Sequence, residues 1–125
     1  MDIMEKLDNI MDGDILPLYL YLSDYESDVN TRDSRGHTLL LHAAIHGNAE
    51  IARLLIFEGA NPNIGSTLGI TPMEVAIRGK DIAMVETLLK SDKISLTGHG
   101  YLEAAGRGTP IYDMLYTRIR NDDYV

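Results

Sequence analysis

The feature that most constrains this chain is an internal offset of 33 residues, the separation of Asn30 and Asn63. Set without a gap, "NTRDSRGHTLLLHAAIHGNAEIARLLI" from Asn30 lies over "NIGSTLGITPMEVAIRGKDIAMVETLL" from Asn63. Gly36 falls on Gly69, Thr38 on Thr71, Leu40 on Met73 and Ala43 on Ala76. Ile51 falls on Met84, Leu55 on Leu88 and Ile56 on Leu89. A fixed period of this length is that of one helix-turn-helix unit with its connection. Such a unit cannot bury its apolar face alone and must stack on copies of itself.

The aligned positions have local reasons. Gly36 and Gly69 stand where a tight turn needs positive φ, and Thr38 and Thr71 then offer a hydroxyl to the free amides of a helix start. Pro72 fits the first helical position, which Leu39 holds in the other copy. Small Ala43, Ala44 and Ala76 allow close approach of neighbouring helices. Gly47 with Asn48, and Lys80 with Asp81, punctuate the chain before a second helix, whose Ile51, Leu54, Leu55 and Ile56 keep helical spacing. Gly59 ends it in the manner of a left-handed cap.

"GHTLLLHAAIHGNAEIARLLIFEGANPN" resembles an ankyrin repeat, and "GITPMEVAIRGKDIAMVETLLKSD" resembles a more diverged second copy. The chain before Asn30 is similar to a third. There Met4 to Met11 is expected to form one helix, Pro17 the first turn of another, with Leu18, Leu20 and Leu22 on its core side and "DVN" as exit turn. "LEAAGRGTPIYDML" aligns either by its Ala104-Ala105-x-x-Gly108 or by its Thr109-Pro110, two registers that disagree; the first is preferred, with Thr109 capping a final helix over Ile111, Met114, Leu115 and Ile119. The resemblance implies an all-α solenoid of helix-turn-helix units with short β-turn or hairpin connections. It implies one domain over 1–125, with repeats near 1–30, 31–63, 64–96 and 97–121 and degenerate capping repeats at both ends. The polar, acidic ends are those expected of a complete short protein. The family's T-P-L-H histidine is replaced by Leu41, by Glu74, and in the last unit by Tyr112 or Glu103. Weaker bracing of the loops is therefore expected.

Chemistry is tested against this scaffold. His42 and His46 have the i, i+4 spacing of a metal pair, but no third ligand accompanies them in sequence and the intervening Ala43, Ala44 and Ile45 do not form HExxH. No metal or other cofactor is expected. His42 is expected near the packing between repeats and His46 on the open concave side. Asp33, Ser34 and His37 are local to one turn, which is not how a triad is built. "GHGYLEAAGRGTP" lacks the Lys-Ser/Thr of a phosphate loop. The chain has no cysteine, which removes thiolate sites and disulfides and suits a reducing compartment. It is expected to be non-enzymatic and cytosolic, or carried by some other export route, with no membrane-spanning segment.

Charge narrows the partner. The net charge is -8, and it is terminal. Residues 1–30 hold Asp2, Glu5, Asp8, Asp12, Asp14, Asp24, Glu26 and Asp28 against Lys6 alone, whereas 31–120 is nearly balanced and Asp122 and Asp123 add two acids. Nucleic acid and anionic membrane are excluded as partners, because binding them needs clustered Lys and Arg. A basic protein is favoured. Tyr19, Tyr21 and Tyr25 among Asp24, Glu26 and Asp28 combine interface aromatics with selecting charge. By the resemblance, further contacts are expected at the turn tips, Ser34, Arg35 and His37 then Thr67, Leu68 and Ile70, and on first helices at Ile45, His46 and Arg78. Two functions follow. One is a stoichiometric inhibitor or immunity-like protein that masks a basic protein such as a toxin, as a monomer or in a heterodimer with its target. The other is an adaptor or effector that binds another protein through its concave groove and turn tips.

Overall fold

The computed structural model describes residues 2–122; Asp123 lies outside them. A short 3-10 helix, Ile3–Lys6, runs into α1 (Leu7–Met11), followed by α2 (Leu16–Ser23), α3 (Leu39–His46) and α4 (Ala49–Phe57). Then come α5 (Pro72–Arg78), α6 (Ile82–Leu89), α7 (Tyr101–Ala105) and α8 (Pro110–Asp122). Among the described residues there is no strand, only an antiparallel bridge between Arg32 and Thr38. The chain is an all-α solenoid. α3 packs on α5 and α5 on α7 as one layer, α4 on α6 and α6 on α8 as the other, and each pair α3–α4, α5–α6 and α7–α8 closes on itself.

The helices begin and end where side chains can satisfy free backbone groups. Thr38 accepts the Leu41 amide at 3.1 Å, Thr71 the Glu74 amide at 3.3 Å and Thr109 the Tyr112 amide at 3.2 Å. Asn48 and Asp81, one period apart, cap α4 and α6 through the amides of Ile51 and Met84. These bonds account for donors that a helix start leaves unpaired. Between α3 and α4 the chain turns through Gly47 at φ 69°, and Lys80 takes the same left-handed conformation at φ 53°.

The core repeats with the sequence. Leu40 and Met73, Ala43 and Ala76, Ile51 and Met84, Leu55 and Leu88 are all buried. Burying each larger side chain contributes about 1.5–3 kcal/mol, so a continuous column of them holds the stack together. A polar ladder runs beside it. Asn30 accepts the Asn61 amide at 2.8 Å, Asn63 accepts the Ser95 amide at 2.8 Å, and the Asn63 side-chain amide donates to the Lys93 carbonyl at 2.7 Å. At the far end the Arg118 guanidinium donates to the carbonyls of Leu89 and Ser91, capping the C-terminus of α6.

Two expectations are corrected. In α2 only Leu18 is fully buried; Leu22 is half-buried and Leu20 is 60% exposed. Leucines two residues apart cannot share one face of a helix with 3.6 residues per turn. Nor does the missing histidine loosen the first loop. Leu41 is buried as core, and the next residue, His42, donates from Nε2 to Asp33 Oδ2 at 2.8 Å.

Candidate functional site

The turn tips are built by the same geometry twice. In the first, Asp33 Oδ1 accepts the amides of Arg35 and His37, each at 2.9 Å, and the Asp33 amide donates to the His37 carbonyl at 3.0 Å. One period on, Ser66 Oγ accepts the amides of Leu68 and Ile70, each at 3.3 Å, and its own amide donates to the Ile70 carbonyl at 2.9 Å. The tips are also joined. The Arg35 carbonyl accepts both the Thr67 amide at 3.0 Å and the Thr67 hydroxyl at 2.9 Å. A Cβ on Gly36 would stand 2.7 Å from the Thr67 nitrogen, and φ there is +76°. Only glycine meets both conditions.

Six expected contact residues, Ser34, Arg35, His37, Thr67, Leu68 and Ile70, line one groove of about 470 Å³ with Ser66. Leu68 is 85% exposed, which no local packing requirement explains, while Ile70 is half-buried and braces the tip through its backbone. On the first helices Ile45 and His46 are exposed, the His46 ring donating from Nδ1 to the His42 carbonyl at 2.8 Å. Arg78 is exposed and pairs with Glu74 at 2.8 Å.

The tyrosine-acid set occupies α2 and the turn after it. Tyr25 is 93% exposed and Tyr19 is half-exposed. Tyr21 instead packs on the core and donates its hydroxyl to the Asp28 carbonyl at 2.7 Å. Asp24 and Asp28 accept the amides of Glu26 and Asn30, so both carboxylates fix the turn and still face solvent. Indeed all eight acids of residues 1–30 are exposed, and none has an ion-pair partner among the described residues. Leu16 and Leu20 add exposed apolar surface to the same helix.

What sequence reasoning missed is a cluster at the first tip. Asp33, His37 and His42 each present a ligand atom, all within 4.8 Å of one another, and the His37 and His42 rings meet edge-on at 5.2 Å. Burial pushes the Asp33 carboxyl up, but hydrogen bonds from the His37 amide, the His42 ring and the Arg35 amide outweigh it and hold the carboxyl below its ordinary value. The signal was present as Asp33 nine residues before His42, yet spacing alone does not show that a turn folds back over its own helix. Elsewhere, the Tyr101 hydroxyl bonds to Thr71 Oγ1, and burial raises its pKa. Among the described residues no helix is long and apolar enough to cross a membrane.

Stacked helix pairs joined by short tips at a fixed period define a solenoid repeat protein. A family model for ankyrin repeats (3 copies) matches residues 10–97, and the chain belongs to the ankyrin-repeat family. It is 34% identical over 76 residues to an ankyrin repeat-containing protein of Treponema pallidum (strain Nichols), covering 55% of this chain and 26% of that one. It is 36% identical over 83 residues to the ankyrin repeat domain-containing protein OPG015 of Monkeypox virus, covering 66% of this chain and 19% of that protein. With the transient receptor potential channel pyrexia of Drosophila melanogaster it shares 33% identity over 79 residues, 62% of this chain and 8% of the channel. The chain thus spans about a quarter or less of these relatives' length. Ankyrin repeats are in general non-enzymatic protein-interaction modules.

Proposed function

We propose that this chain is a binding module that masks a basic protein, in the manner of a stoichiometric inhibitor or immunity-like protein, with the acidic surface of its first 30 residues. The observation that carries the reading is the exposure of all eight acids there, none with an ion-pair partner among the described residues, beside exposed Leu16, Tyr19, Leu20 and Tyr25. Unneutralised carboxylates around aromatic and aliphatic anchors supply both electrostatic steering and desolvatable contact area. The partner is another protein bound as a heterodimer, and a cytoplasmic setting suits a chain without cysteine.

A second reading rests on Leu68, whose exposure in the groove between the two tips gives an adaptor an apolar anchor. Affinity capture from the source lysate with three baits separates the two. The triple variant Asp24→Asn/Glu26→Gln/Asp28→Asn keeps the turn acceptors and removes charge, while Leu68→Asp spoils the groove. Masking requires a basic protein retained by the wild type and by Leu68→Asp but weakened in the triple variant. The reverse pattern establishes the groove, and retention by both variants rules out both surfaces.

A further inference from the structure

We propose that Asp33, His37 and His42 form a zinc-binding site at the first turn tip. Two imidazoles and a carboxylate are a donor set suited to Zn²⁺, which accepts three protein ligands and leaves a fourth position open. The ligand atoms of a tetrahedral ion with bonds of about 2.0–2.1 Å stand roughly 3.3 Å apart. Here Asp33 Oδ2 and His42 Nε2 are 2.8 Å apart, and all three donors lie within 4.8 Å of one another. The ion requires the half-buried His37 ring to move until its donor reaches that spacing.

The surroundings are arranged as a ligand set needs. Asp33 Oδ1 is held by the amides of Arg35 and His37, which fixes the carboxylate plane and leaves Oδ2 facing His42. Such outer contacts to a ligating carboxylate orient it for the ion. His42 sits on α3, a rigid element, and is braced at its backbone carbonyl by the His46 ring. Zn²⁺ takes the place of the proton now shared by Asp33 and His42. Nε2 gives up that proton and Nδ1 takes one from solvent, so the imidazole stays neutral and coordinates through the freed Nε2 lone pair. His37 also lines the groove between the tips, so the site borders that groove. The i, i+4 pair of His42 and His46 is the rival arrangement, but the His46 ring is turned to the backbone and stands 6.5 Å from that of His42.

The test is calorimetric titration of ZnCl₂ into chelator-treated full-length protein near neutral pH, with Co²⁺ absorption and histidine ring NMR as second readouts. One ion per chain is expected, with His37 and His42 ring signals shifted and those of His46 and His99 unmoved. His37→Ala and Asp33→Asn should each weaken binding about tenfold or more; Asp33→Asn keeps the Oδ1 acceptor of the turn, so its fold is retained and checked by circular dichroism. Binding that survives His37→Ala and is lost in His46→Ala assigns the ion to the helix pair and overturns the proposal. Absence of a one-to-one isotherm overturns it as well. Neither result bears on the acidic surface, which the three-bait capture tests separately.

Discussion

Lys80 adopts a left-handed backbone at φ 53° where its counterpart one period earlier is Gly47 at φ 69°. A residue with a Cβ is disfavoured there by about 1–2 kcal/mol, against the 0.5–1 kcal/mol of chain entropy that glycine adds to the unfolded state. Lys80→Gly is therefore expected to stabilise the protein by roughly 0.5–1 kcal/mol, read as a rise of a few degrees in Tm; a fall would contradict the strain argument. Gly36→Ala carries the opposite sign, because the new Cβ meets Thr67 as well as an unfavourable φ. It is expected to cost at least about 1–2 kcal/mol in denaturant titration. Tyr101 makes stability depend on alkaline pH. Burial raises its pKa above the ordinary 10.0, so the stability it contributes is present below about pH 10 and is lost as pH rises through the higher folded-state value. The wild type should lose Tm more steeply than Tyr101→Phe as pH passes 10, and parallel curves would refute this. At this scale sequence showed much: the capping of Thr38 and Thr71, the turns at Gly36 and Gly69, and the matching of Lys80 with Gly47 all follow from local rules. The Asp33–His42 contact was not legible, because it depends on how a tip folds over the next helix.

At the scale of elements, side chains secure the second helices of the central units, α4 at its start and α6 at both ends. Asn48 and Asp81 cap the starts of α4 and α6, and Arg118 from α8 holds the carbonyls at the end of α6. Loss of one such cap costs about 0.5–2 kcal/mol, so Asn48→Ala and Asp81→Ala should give similar destabilisation in urea, with Asn48→Ala the larger. Its amide also donates to the Met11 carbonyl at 3.1 Å and ties α4 to α1. Equal losses would show that this tie contributes nothing. α2 shows where pattern reading fails. Alternating Leu18, Leu20 and Leu22 looked like one face, but helical rotation sends Leu20 outward, and an end repeat has no further unit to cover it. The central pairs α3–α4 and α5–α6 were legible because each has a neighbour on both sides that demands the same apolar positions.

For the whole molecule, one core runs through all the stacked units, Ile3, Leu7, Ile10, Met11 and Leu18 of the N-terminal unit included, while nearly all of the net charge lies on that N-terminal unit. Because the acids of residues 1–30 are exposed and have no ion-pair partner among the described residues, their field extends about 8–10 Å at physiological salt and is screened as salt rises. Architecture was readable from the period, but the binding surface was readable only as candidates, since periodicity fixes which positions are buried and leaves the outer ones free. The most direct test is the affinity of the captured partner for the wild type and for Asp24→Asn/Glu26→Gln/Asp28→Asn, measured by calorimetry over a range of salt concentrations. Charge masking requires wild-type Kd to weaken about tenfold or more between low and high salt, and the triple variant to show a weaker Kd at low salt with a shallower slope. A Kd independent of salt and unchanged in the triple variant would contradict it.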